Sequence, residues 1–351
     1  MHWCSWTTRS TSRSRRPEAE IAAVPAPTAQ GAPLPQRRSQ AERRRSRRRA
    51  TLKKYGTVFL FMLPWIIGFV CFTAYPMIAS LYYSFTRFDL INNPQWVGLQ
   101  NYRDLFTTDP FFRQAIRNTL FIVVLGVPLN VLFGVGVAMM LTKARSGASF
   151  YRTVFYLPTL APAVAVALTF MVLFNPGTGP VNQLLGALHI GQPLWFYDPN
   201  WSKPALLILG LWTAGNTMII FLAALLNVPR QLYEAIEIEG AGPLRTFIHV
   251  TIPMISPVIF FAVVTGVIDA LQYFTQAYVI GNAVSQQTDQ LGEPQGSLLF
   301  YALWMYQKAL PGFAMGYAAA MAWLLFLVTM IATLILFKTS SRWVFYQGSG
   351  R

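Results

Sequence analysis

Thr265, Asp269, Gln272, Tyr273 and Gln276 recur at i, i+4, i+7, i+8 and i+11 within an otherwise apolar stretch. That is the spacing of one helical face. Asp269 is the only ionisable residue that falls inside any long apolar segment of the chain. A charge near the middle of a bilayer costs about 2.5–3.5 kcal/mol on insertion scales, so such residues face a bundle interior or a wet cavity. Carboxylates and amides exchange hydrogen bonds with hydroxyl groups, and a tyrosine ring can cover the apolar side of a pyranose. The stripe therefore suits a hydroxyl-rich solute. The same side chains could instead bond to neighbouring helices, and the spacing fits both uses. Asn216 is one more polar candidate of this kind, as path residue or as a contact between helices.

A second constellation lies at 229–253. Pro229 suits a helix start. Leu232, Ala235, Ile236 and Ile238 then alternate with Glu234, Glu237 and Glu239 as in a short amphipathic helix. Gly240 supplies a stop where positive φ is allowed. Gly242-Pro243 restarts the chain, Leu244, Phe247, Ile248 and Ile252 give a second apolar face, and Pro253 is expected to open the next long helix. Helices that lie on lipid usually carry Lys and Arg on their polar face. This one has three acids and no Lys or Arg after Arg230. A socket in a partner protein, with basic groups to meet Glu234, fits it better than a membrane surface.

These groups are positioned by long apolar elements. The chain is 54% apolar and 12% charged over 351 residues, against about 25% charged in soluble domains. A bilayer core needs roughly 20 mostly apolar residues per helix. Six segments qualify, at about 58–83, 119–141, 153–174, 204–226, 255–280 and 314–337. The fold class is therefore an all-α integral membrane protein of six transmembrane helices, spanning 55–345; strands of a barrel would be shorter and alternating. The net charge of +15 is concentrated at the start, where residues 1–54 hold 14 Lys/Arg and 3 acids. That Ser-, Arg- and Pro-rich arm lacks apolar periodicity and is expected to be disordered. It reads as a juxtamembrane anchor on the lipid surface rather than a nucleic-acid-binding arm. The first apolar stretch lies too far into the chain, and is too long, for a secretory signal peptide. With the N-terminus inside, inner segments hold 22 Lys/Arg and outer segments 6, which places both termini in the cytoplasm.

Tyr233-Glu234-Ala235, then Gly240-Ala241-Gly242, then Ile252-Pro253 resemble the "EAA" loop of binding-protein-dependent ABC importer permeases. Ile236 stands where that family usually has Ala, and Glu239 where its sugar branch has Asp. Leu63-Pro64-Trp65, Tyr75-Pro76, Gly98 to Tyr102, Leu157-Pro158, Gly179 to Asn182 and Gly316 to Ala320 also resemble permeases of the maltose and glycerol-phosphate type. The resemblance implies a type I importer permease fold with its core at about 115–337, and a cytoplasmic coupling helix in the loop 229–253. It also implies a role in uptake of a sugar or related polyol into a bacterial-type cell. The implied partners are a second homologous permease, two cytoplasmic ATPase subunits that use ATP and Mg, and an extracytoplasmic solute-binding protein. Asp269 and Tyr273 align with sugar contacts of a maltose-type permease, as do Thr159 and Thr213.

The sequence holds no Gly-x-x-x-x-Gly-Lys-Ser/Thr phosphate loop and no His/Cys/acid cluster at metal-ligand spacing. A transport subunit without its own ATPase site, cofactor, metal or catalytic residues is expected. The rival class is an ion-coupled secondary transporter using Asp269, which leaves the loop at 229–253 without a purpose.

Overall fold

The computed structural model describes residue 55 and residues 58–144, 147–285 and 292–345. The arm expected at 1–54 lies outside the described residues. The chain divides into two compact units, Met1–Ile67 and Gly68–Arg351. In the first, residues 58–67 are helical and largely exposed. They open the helical run α1 (Val58–Ser84). A two-stranded antiparallel hairpin follows, β1 (Thr86–Arg87) with β2 (Gln95–Trp96), pairing Thr86 with Trp96. Next come α2 (Gln100–Thr107) and α3 (Pro110–Lys143). Beyond them lie α4 (Ala148–Leu160), α5 (Ala163–Leu173), α6 (Pro180–Ala187), α7 (Pro199–Trp212) and α8 (Gly215–Leu226). The chain continues through α9 (Arg230–Ile238), α10 (residues 243–271) and α11 (Thr275–Val284). It closes with α12 (Tyr301–Ala309) and α13 (Met315–Ser340).

Among the described residues α1, α3, α13 and the run Pro243–Val284 are each long and apolar enough to cross a membrane. The pairs α4/α5 and α7/α8 are bent by 102° and 48°, and each would add one span if taken together. The single third and fourth helices expected from hydropathy are thus broken pairs. In α4/α5 the cause is Pro162, whose ring disfavours the helical region for the residue before it; Ala161 sits at φ −74°, ψ 136°. In α7/α8 it is a crossing. The backbone at Gly215 comes so close to α4 that a Cβ there would stand 2.5 Å from the Phe155 carbonyl oxygen.

Three of the long runs contain a π-helical turn: Val70–Ala74, Ile122–Gly126 and Phe247–Thr251. Each ends two residues before a proline, Pro76, Pro128 or Pro253. Proline lacks the N–H and its ring presses on the carbonyl four residues back. One extra residue in the preceding turn makes room for that ring. The N–H groups of Tyr75, Val127 and Ile252 then donate to the carbonyls of Val70, Ile122 and Phe247. Pro253 consequently does not open the fifth long helix as expected; the helix starts at Pro243 and runs through it. The second begins at Pro110, ahead of the expected 119, because Asp109 caps it. Asp109 Oδ1 accepts from the N–H groups of Phe111 and Phe112 at 3.0 and 3.2 Å.

α8 packs along α3, α13 along the end of α1, and α11 against α5. Their buried side chains form three apolar clusters. Phe72, Leu132, Met140, Leu334 and Phe337 instead point outward. Aliphatic and aromatic residues on the outside of long uncharged helices are what a lipid solvent selects. Asp109 also ties the third cluster together. Its Oδ2 accepts from Trp304 Nε1 at 2.9 Å and Tyr317 Oη at 2.8 Å, with Lys308 Nζ at 3.7 Å.

Candidate functional site

α3, α7, α8, α10 and the start of α11 enclose an open cavity of about 480 Å³, within the 300–1,000 Å³ usual for ligand sites. Its wall combines Ile122, Val127, Leu206 and Phe261 with a short series of polar groups. Thr213, Thr265, Asp269, Gln272, Tyr273 and Gln276 all reach it. The geometry that joins them differs from the expected single helical face. α10 ends at Leu271 with Gln272 as its C-cap, and the helix resumes only at Thr275. Aromatic docking accounts for the break. Tyr273 meets the edge of Phe300 at 5.2 Å, while Phe274 stacks on Tyr278 at 5.3 Å and approaches Tyr306 at 5.4 Å. The stripe is thus carried around a corner.

The hydroxyls of Thr213 and Thr265 donate to carbonyls of their own helices, Gly210 at 3.1 Å and Phe261 at 2.9 Å. Their oxygen lone pairs remain free to accept. Asp269 is the only charged residue of the wall and is exposed into the cavity. Among the described residues its carboxylate has no ion-pair or hydrogen-bond partner. Asn130, Thr217 and Thr275 also line the space. The rule that flags polar groups in apolar segments would have found Asn130 and Thr217 in the sequence. Two expected residues lie elsewhere. Thr159 donates to the Tyr156 carbonyl at 2.7 Å and packs beside Gly215. Asn216 is exposed on the first turn of α8, outside the cavity wall.

The second constellation is a separate structure at the other end of α8. α9 starts after Pro229, its N-cap, and is amphipathic in fact. Tyr233 turns inward, with its hydroxyl 3.3 Å from Thr251 Oγ1. Glu234, Ala235, Glu237 and Glu239 are exposed, and Ile238 is 87% and Leu244 70% exposed. Gly240 takes φ +75°. The N–H of Gly240 donates to Glu237 at 2.9 Å and that of Ala241 to Ile236 at 3.2 Å, the paired bonds of a Schellman stop. Gly242 then caps the first turn of α10, with Pro243 following. Pro253 stands inside α10, past the π-turn, and its carbonyl accepts from Ser256 Oγ at 2.7 Å.

A bundle of long lipid-facing helices, a cavity walled by hydroxyls, amides and one carboxylate, and a protruding acidic helix together define a multi-pass membrane transport component. The chain belongs to the family of binding-protein-dependent transport system inner membrane components, whose profile matches residues 130–343. It is 41% identical over 291 residues to Bacillus subtilis YesP, named a probable ABC transporter permease protein, covering 82% of this chain and 92% of the relative. The lactose transport system permease protein LacF of Rhizobium radiobacter is 33% identical, covering 82% and 96%. The sn-glycerol-3-phosphate transport system permease protein UgpA of Pectobacterium atrosepticum is 31% identical, covering 82% and 95%. Among solved structures, a chain of a bacterial ABC transporter involved in import of the acidic polysaccharide alginate shares the fold. Its TM-score is 0.70 at 24% identity, over 84% of this chain and 99% of that one.

Proposed function

We propose that this chain is one of two homologous membrane subunits of an ATP-driven importer for a sugar or related polyol. Each bent pair counts as one of six spans, and both termini lie in the cytoplasm, following the excess of Lys and Arg on that side. The cavity around Asp269 forms part of the solute path. α9, the acidic helix ended by Gly240, docks into a cytoplasmic ATPase partner, to which ATP and magnesium belong. An extracytoplasmic binding protein delivers the solute to the opposite face.

The exposed surface of α9 carries this reading. A helix with apolar residues as exposed as Ile238, beside three acids, lacks its cover in the isolated chain. A basic, partly apolar cleft would supply it. Coupling follows if that cleft grips α9 differently in the two states of the motor, because only differential contact shifts an equilibrium between conformations. The test is purification of the complex in mild detergent, with and without Glu234→Lys. We expect two ATPase copies and a second permease to co-purify with the parent chain. In the variant, either assembly fails or hydrolysis no longer drives uptake. Normal uptake with normal co-purification in the variant would remove α9 from the docking role. Uptake that survives loss of the ATPase but collapses with an ion gradient would favour ion coupling through Asp269.

A further inference from the structure

Ile122 of α3 and Leu206 and Leu207 of α7 are the cavity-lining residues nearest the N-terminal ends of those two helices. One turn nearer the N-terminus of each helix, on the same sides, stand Asn118 and Lys203. Lys203 Nζ donates to Asn118 Oδ1 at 2.9 Å and lies 5.4 Å from the centre of the Phe121 ring. Asn118 is 3% exposed. Its Nδ2 donates to the carbonyls of Gly296 and Leu299, each at 2.8 Å. Both amide hydrogens are therefore committed, and Oδ1 is held toward the ammonium. An ammonium has three donors, of which Asn118 takes one. Arg117, one residue before Asn118 and one turn before Phe121, acts on Lys203 as a like charge. Neither base has a carboxylate at ion-pair distance among the described residues; Lys308 pairs with Asp109 instead. A half-buried ammonium, aimed by a fixed amide beside an exposed guanidinium and lacking an anion, is built to receive one.

We propose that Lys203 and Arg117 bind the acidic group of a saccharide at this end of the cavity, so that the chain favours solutes bearing a carboxylate or comparable anion. This rests on the reading that the cavity lines the solute path. Asp269 repels an acidic group brought beside it, so the acid is held at Lys203 while neutral hydroxyls meet the rest of the wall. Thr213 lies ten residues beyond Lys203, about 15 Å at a helical rise of 1.5 Å per residue. That length admits more than one sugar unit. A lipid phosphate would satisfy the same chemistry, and the test separates the two.

The whole transporter complex is placed in phosphatidylcholine nanodiscs, with and without phosphatidylglycerol. Equilibrium binding of cellobiouronic acid is compared with that of cellobiose, which has a hydroxymethyl group in place of the carboxylate. The acid should bind about tenfold more tightly, as one charge-assisted hydrogen bond provides. Lys203→Met should bring that ratio close to one, and Lys203→Arg should retain it. An equal ratio in the parent chain and Lys203→Met would overturn the proposal. So would a Lys203-dependent retention of phosphatidylglycerol without any effect on the sugars, which would assign the site to lipid. Asp269→Ala that leaves binding of both sugars untouched counts against the cavity itself, a separate failure.

Discussion

Gly240→Ala is the sharpest test of α9. At φ +75° the residue occupies the left-handed region, where an L side chain costs about 1–2 kcal/mol. Apart from the residue itself and its chain neighbours, nothing lies within 4 Å of the position its Cβ would take, so the penalty is purely a backbone one. It falls on a helix of 9 residues, a length that is marginal without tertiary support. A cost of one to two kcal/mol shifts an order–disorder equilibrium by about 5- to 30-fold. Gly242 is a control two residues away, since it too has open space around it but sits at φ −72°. Hydrogen exchange of the amides at 232–241, measured in nanodiscs, should rise by about that factor in Gly240→Ala and stay unchanged in Gly242→Ala. Gly240→Asn should fall between, because Asn tolerates this conformation. Solute moved per ATP hydrolysed should follow the same order. Identical exchange and coupling in Gly240→Ala and Gly242→Ala would refute the reasoning, since only φ distinguishes the two sites.

Asp269→Ala should alter solute affinity or selectivity while the complex still assembles; an unchanged uptake profile would exclude it from the path. Asp109→Ala should lower the thermal unfolding temperature. It removes a helix cap worth about 0.5–2 kcal/mol and strands Trp304 Nε1 and Tyr317 Oη, part-buried donors costing about 1–3 kcal/mol each. Asp109→Asn keeps a capping oxygen and should recover part of that loss; equal melting of all three proteins would show that the cap and its ring donors carry no weight.

Among the described residues the apolar segments read from hydropathy fall on four long helices and two bent pairs, because lipid imposes one requirement on all of them. What hydropathy missed is local. Pro158 and Pro162 sit in an apolar background that hides a bend of 102°. The break after Trp212 has no proline at all and arises from contact between Gly215 and a distant carbonyl. Helical spacing brought Thr265, Asp269, Gln272, Tyr273 and Gln276 to notice, yet they meet through a corner set by Phe300 and Tyr306, far along the chain. Asp109 was readable as a cap before Pro110, but its ring donors come from residues 304 and 317. In the sequence Lys203 is one of the six Lys and Arg of the outer segments and nothing more. Its partners, Asn118 and Phe121, stand more than eighty residues away, where no local pattern reaches. α9 was the most legible part, because Pro229, the alternating acids and Gly240 all act within one short segment.

The widened turn at Ile122–Gly126 also resets the phase of α3. In a regular helix each residue advances the direction of its side chain by about 100°. Asn118 and Asn130 are twelve positions apart, which would leave them about 120° out of line. Absorbing one surplus residue between them reduces that offset to about 20°. The proline that demands the wider turn thereby brings the amide that steadies Lys203 into line with the amide on the cavity wall. Deleting one residue there would leave the two amides eleven positions apart on a regular helix, still about 20° out of line, but would press the proline ring back onto the carbonyl four residues behind it.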